Sequence, residues 1–337
     1  MNCPKGEALA MNILASKINK LFTDESWRRT NPQQFLDLFE SFNSEDSAIE
    51  RIYNKLPEVL RSNLSKLDGV DLKFLANLDC SLRELGKEED CDVIENPKNQ
   101  LFTFDNRVDF FSKRFVFYDN SSCWIEFYLR DDLDVAILVD NSSLSFLRLR
   151  FNFMQPAKLN CGIFILQKGG TLRIGLDTNF THPQSEGMVT ILGYNCGNGH
   201  FDLRNCQSHV VPRCKSDTLL RLIAKDSSYS TFWGLIEIDN EAEDSDAYQL
   251  ARAMLLSNNC RADLIPNLKI GANSVRCTHG ASYSQISPME LFYLRSRGLR
   301  DKVARELLLE GFLREGIERL ADRSLDFAEN FLSSLVL

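Results

Sequence analysis

The sequence predicts a mainly β protein in which a β core, residues 99–285, lies between helical regions at 1–98 and 286–337. Three observations carry this. Apolar residues keep helical spacing through the first hundred residues. Short runs rich in Phe, Ile, Val and Leu then recur at roughly ten-residue intervals with no helical segment between them. A capped, amphipathic pattern returns after residue 285.

In the first region Leu14, Ile18, Leu21 and Phe22 share a helix face, as do Phe35, Leu38, Phe39 and Phe42. Ile49, Ile52, Tyr53, Leu56 and Leu60 give another apolar stripe, which Pro57 breaks or begins. Leu72, Leu75, Leu78, Leu82 and Leu85 give one more, and the charged stretch 86–92 with Asn96-Pro97 reads as a linker. The strand-like runs are LFTF, RFVFY, CWIEFYL, DVAILV, FLRLRFNF, CGIFIL, TLRIGL, MVTILGY, LLRLIA and FWGLIEI. Asn, Asp, Ser and Gly clusters separate them. Periodicity alone leaves a sandwich, a barrel and a stacked solenoid open.

In the C-terminal region Ser287, Pro288 and Glu290 form a capping box, and Gly298 stands where a left-handed stop is expected. A second helix starts near Asp301, with Val303, Leu307, Leu308 and Phe312 as its apolar face. Leu313, Ile317 and Leu320 extend it, with Gly316 a weak point.

The net charge of −8 argues against a nucleic-acid surface. No apolar run reaches the ~18–20 residues of a membrane span, and MNCPKGEALAMNIL lacks the layout of a signal peptide. A cytoplasmic setting follows as the expectation, with the ten cysteines reduced. None forms a Cys-x-x-Cys pair, so a structural zinc module is not expected.

Chemistry concentrates in VRCTHGASYSQISPMELFYLRSRGL, residues 275–299. On an extended segment Cys277 and His279 project from one side. A thiolate and an imidazole suit zinc or iron, but two ligands do not complete a site. As a nucleophile–base couple the pair lacks an orienting third group. His200, Asp202 and His209 also cluster in sequence, and the bland reading is that they satisfy backbone groups at turns. The acidic run EIDNEAEDSDAY, with Glu237, Asp239, Glu241, Glu243, Asp244 and Asp246, reads as a solvated loop, with paired-carboxylate glycoside chemistry as the sharper alternative. No phosphate-binding loop, dinucleotide fingerprint, HExxH or GxSxG is present.

The 275–299 string resembles the C-terminal hallmark of the SufB/SufD scaffold proteins of iron–sulfur cluster assembly, with its CSHGA and LFYLxSRG elements. ARELLLEGFLRE is similar to the segment that follows the hallmark. Upstream, FWGLIEIDNEAEDSDAYQLARAMLLSNNCRADLIPNLKI, GNGHFDLRNCQSHVVPRCKS and ESWRRTNPQQF resemble further family segments. Gly280 stands where SufB-type chains carry a functional glutamate, and Ala251 where they carry a cysteine, so the likeness is to the SufD type. Cys260 departs from that type.

The resemblance implies a right-handed parallel β-helix core and a non-catalytic scaffold role. It implies pairing with a SufB-type subunit through the end of the β-helix, and docking of a SufC-type ABC ATPase on the C-terminal helices. Docking candidates are Leu291, Tyr293, Arg295, Arg297, Val303, Leu307, Leu308 and Phe312. Cys277 and His279 would lie beside a transient iron–sulfur cluster or iron held at the shared interface, with no cofactor held by this chain alone. A homodimer is the expected alternative when the chain is isolated. The competing readings are a SufB-like sibling, a β-solenoid polysaccharide-active enzyme and a scaffold that never meets metal.

Overall fold

The computed structural model describes residues 82–85, 93–98, 100–106 and 108–335. The helices expected before residue 82 lie outside these residues. Strands come first: β1 (Leu82–Glu84), β2 (Val93–Glu95), β3 (Gln100–Asp105), β4 (Phe110–Phe117), β5 (Ser121–Leu129), β6 (Leu133–Asn141), β7 (Leu144–Phe153) and β8 (Lys158–Gln167). They continue as β9 (Thr171–Phe180), β10 (Glu186–Asn195), β11 (His200–His209), β12 (Lys215–Ala224), β13 (Tyr229–Ile238), β14 (Asp246–Leu255), β15 (Arg261–Ile270) and β16 (Arg276–Ser284). Helices α1 (Pro288–Ser296), α2 (Asp301–Ile317) and α3 (Leu325–Ser333) follow.

Odd strands form one eight-stranded sheet and even strands another, each in sequence order and each parallel. Equivalent positions in successive coils, such as Thr171, His200 and Tyr229, lie about 30 residues apart. The fold is therefore a parallel β-helix of two facing sheets. The architecture that periodicity left open is settled by this alternation.

The register stays in phase from coil to coil, so like positions stack along the axis. Phe127 stacks on Phe151 at 4.5 Å, Phe153 on Phe180 at 4.9 Å, and Phe180 on the His209 ring at 4.4 Å. Leu147, Leu149, Ile163, Ile165, Ile174 and Ile191 complete this inner core. At one corner Asn141, Gln167 and Asn195 pair in register. Asn141 Nδ2 donates to Gln167 Oε1 (2.8 Å), and Asn195 Nδ2 to the Gly199 and Tyr229 carbonyls (3.2 and 3.0 Å). Gly170 turns the same corner at φ +66°, where a Cβ would stand 2.4 Å from the Ser143 carbonyl oxygen.

The outer face of the even sheet is apolar where α2 and α3 cover it: Phe164, Leu192, Tyr194 and Ile223 pack on Leu309, Leu313, Ala328 and Phe331. The outer face of the odd sheet carries a buried charged ladder. Glu126 accepts from Trp124 Nε1 and Asn152 Nδ2 at 2.7 Å and faces Arg150 at 3.4 Å. Asp202 pairs with Arg173 (2.9 Å) and Arg204 (2.8 Å).

Three expectations are corrected. Residues 82–84 and 93–95 are strands, so sheet pairing begins before residue 99, and Leu82 does not continue a helical stripe. His200, Asp202 and His209 lie on strand β11 and not at turns. Gly316 is no weak point, because α2 runs through it to Ile317. A Cβ there would meet Leu192 Cδ2 at 2.6 Å, so the missing side chain lets the helix approach the sheet.

Candidate functional site

β15 and β16 are the last strands of their sheets, and among the described residues no strand pairs with their outer edges. Among the described residues the β-helix therefore ends here in an open pair of strand edges. Cys277 and His279 lie on β16 opposite Ala247 and Gln249 of β14. Both partners are buried inward, so the two candidates share the inward face. Tyr283 follows on the same row opposite Ala253, and is exposed, as are Leu268 and Ile270 of β15. Strand ends that are buried in earlier coils meet solvent here.

Cys277 is half-buried against Ile236, Ile238, Ala242, Ala247 and Ala272. Burial, with the Asp246 carboxylate second, pushes its thiol pKa up. A protonated thiol is a poor nucleophile, which disfavours the hydrolase reading. A metal cation reverses that preference by displacing the proton. Among the described residues no three His, Cys, Asp or Glu side chains gather as a metal-holding group. The pair offers a soft thiol and an imidazole, a donor set that fits iron, and the described residues supply no third ligand beside it. Gly280 alternates to the opposite face, where its nearest contact is Leu250.

The other clusters do not converge. His200 and Asp202 face outward on β11, while His209 faces inward with Phe201 and Leu203. His209 Nε2 lies 2.8 Å from Ser216 Oγ, and His200 stacks on Tyr229 at 5.0 Å. In the acidic run the Glu243 carboxylate accepts the Asn273 and Ser274 backbone N–H groups (3.2 and 2.6 Å), and Glu237 pairs with Lys269 (2.6 Å). The groove along the solenoid holds Asp246 alone of that run, beside Glu186 paired with Lys215 (3.3 Å) and Asp217 paired with Arg319 (2.8 Å). Cys260 is buried and donates its S–H to the Ser257 and Ala224 carbonyls (3.1 and 3.4 Å).

The C-terminal helices present two kinds of surface. Ser287 Oγ caps α1 by accepting the Glu290 N–H (3.3 Å), yet no residue of α1 is buried. Met289, Phe292 and Tyr293 are exposed, and Leu291 is half-buried. Arg297 lies over the Tyr293 ring at 5.2 Å, and Arg295 pairs with Asp301 at 3.5 Å. On α2, Ala304, Leu309, Leu313 and Gly316 are buried. Val303 and Leu307 are exposed and Leu308 is half-buried. Phe312 is not on that free face: it packs with the helix–sheet core beneath Arg221, 5.1 Å away.

The model of the SufBD core domain of SUF-system iron–sulfur cluster assembly matches residues 135–312, more than half of the chain. The chain belongs to the SufBD family. It is SufD-like: the iron–sulfur cluster assembly protein SufD of Escherichia coli K12 is 30% identical over 157 residues, 47% of this chain and 37% of the relative. SufD of Bacillus subtilis 168 is 36% identical over 98 residues, 29% of this chain and 22% of the relative. A SufBD family protein of Mycobacterium leprae is 29% identical over 161 residues, 45% and 41% of the two chains. The chain thus spans less than half the length of the curated relatives it matches. The matched SufBD core contains both Cys277 and His279 and ends within α2.

Sequence reasoning missed Gln249. It is buried on β14 in register with His279 of β16, and only that strand register relates the two positions.

Proposed function

We propose that this chain is a non-catalytic scaffold subunit of iron–sulfur cluster assembly. It pairs through its open β-helix end with a SufB-type sibling and presents α1 and α2 to a SufC-type ABC ATPase. The observation that carries the reading is the open end, where Cys277 and His279 stand at the edge among exposed Leu268, Ile270 and Tyr283. Unpaired strand edges and apolar side chains are costly to leave in water, and a partner strand satisfies both. The cargo, iron or a nascent cluster, would bind where the two chains meet, with Cys277 and His279 supplying part of the ligand set.

The exposed row Met289, Phe292, Tyr293, Val303 and Leu307 suits a helix-face contact with the ATPase. ATP hydrolysis falls to that partner, since this sequence has no phosphate-binding loop. In the absence of the sibling the same end would pair with a second copy, giving a homodimer. Among the described residues no helix is long and apolar enough to cross a membrane, and the proposed setting is the cytoplasm.

Coexpression with a SufB-type and a SufC-type protein, followed by anaerobic reconstitution with iron and sulfide, tests the reading. The expected result is a three-component complex whose cluster yield drops in His279→Ala. Wild-type cluster yield in that variant would reduce His279 to packing. Failure of the complex to form would remove the scaffold assignment.

A further inference from the structure

Gln249 has no exposed surface, and among the described residues neither its Nε2 nor its Oε1 has a hydrogen-bond partner. A carboxamide desolvated with both ends unpaired is destabilising, and an apolar side chain of the same size would suit stability better. The neighbours narrow what the amide can serve. In the parallel register Gln249 stands between Thr218 of β12 and His279 of β16, all on the inward face. On the Thr218 side the hydroxyl accepts from Gln207 Nε2 (2.9 Å), which also reaches the Tyr248 carbonyl (3.2 Å), and makes no hydrogen bond to Gln249. Across the core is Gly234 of β13, where a Cβ would lie 2.4 Å from both Nε2 and Oε1. The missing side chain at that position is what makes room for the amide. On the remaining side is an imidazole, on the last strand of the sheet.

We propose that Gln249 is a positioning residue for His279. By rotating from Gly234 toward β16, its Oε1 accepts one imidazole N–H. That bond fixes the ring plane and the tautomer, leaving the lone pair of the other ring nitrogen for the metal cargo. Ligating histidines are commonly held in this way by a hydrogen bond to the second ring nitrogen. A carboxamide does so without adding charge to the site. Gln249 itself touches no cargo. The inference rests on the reading of His279 as iron-proximal, and its test is arranged so that the two fail separately.

The full chain is labelled with ¹⁵N-histidine. With four histidines in the sequence, His279 is assigned by loss of its signals in His279→Ala. The expected result is one dominant neutral tautomer in the wild type. In Gln249→Met, which keeps the volume, the two ring nitrogens shift toward the mixture of a free imidazole. Gln249→Glu, which keeps an acceptor oxygen, restores the single tautomer. Cobalt(II) alone serves as the metal probe, and its affinity is expected to fall about 10–100-fold in Gln249→Met. An unchanged tautomer ratio in Gln249→Met overturns the inference. If His279→Ala binds cobalt(II) like the wild type, the ligand reading of His279 fails instead, and the tautomer arm alone decides the role of Gln249. Gln249→Leu repeats the tautomer measurement should the Met variant fold poorly.

Discussion

Arg221 on β12 and Glu315 on α2 form an ion pair that joins α2 to the β-helix. The guanidinium is almost fully buried, lies over the Phe312 ring, and has Arg252 and Arg319 as cationic neighbours. Burial first, and those two arginines second, push its pKa down to about 10. Glu315 is therefore the anion on which a poorly solvated charge depends.

Glu315→Ala is expected to destabilise the chain by about 1–3 kcal/mol. This is below the cost of breaking a fully buried pair, because Glu315 is half exposed and screened. Urea unfolding of the isolated chain measures it. Arg221→Met combined with Glu315→Ala removes the orphaned charge and should recover most of the loss. Equal midpoints for the wild type and Glu315→Ala would mean that apolar packing alone holds the helix.

His209 sets an acid limit on stability. Burial holds its folded pKa down at about 4, against 6.5 for the free side chain, as it packs between Phe180 and Ser216. Between those values the unfolded chain binds a proton that the folded chain does not, so stability rises with pH across this window. The contribution is complete above pH 6.5 and is lost as pH falls through 4, about 3 kcal/mol in all. His209→Gln should flatten this part of the profile, measured as the difference in urea midpoint between pH 7 and pH 4.5. Parallel profiles for the two proteins would contradict the assignment.

Much of this architecture was legible in the sequence, and the gaps have physical causes. Runs such as FLRLRFNF and CGIFIL declare strands because both their faces are buried. HFDLRNCQSH and DAYQLARAML read poorly because amides and a histidine occupy inward positions that other strands give to Ile, Val or Leu. The alternation of strands between two sheets involves residues about 30 apart and leaves no periodic signal in a single coil. Cys277 and His279 were visible as a pair because the spacing of two places them on one face. Gln249 was invisible because its relation to His279 crosses a whole coil. The docking face was half legible: spacing grouped Phe312 with Val303 and Leu307, but Arg221, 91 residues earlier, draws Phe312 onto the sheet.

The two faces of α2 should separate in experiment. Leu307 is exposed, so Leu307→Asp is expected to change stability by less than about 0.5 kcal/mol while abolishing co-purification with a SufC-type ATPase. Leu313 is fully buried in the helix–sheet core, and Leu313→Ala is expected to cost about 2–4 kcal/mol. Thermal melts and pull-downs on both variants distinguish the faces. A Leu307→Asp chain that still captures the ATPase would move the contact to α1.

Gly234 and Gln249 should be energetically coupled, and the coupling exposes the tension at this end of the β-helix. A methyl group at Gly234 enters space held by the Gln249 amide, so Gly234→Ala is expected to cost about 1–3 kcal/mol. In a Gln249→Ala background the same change meets no amide and should cost much less, a coupling a double-mutant cycle reads directly. Gln249→Met removes the burial cost of the amide together with its bond to His279, so the stability of the isolated chain is expected to change by less than about 1 kcal/mol. A variant that keeps its stability while losing order at His279 is what a residue retained for its neighbour, and not for the fold, would give. A loss of more than about 3 kcal/mol in Gln249→Met would mean that the amide is held mainly by partners other than His279.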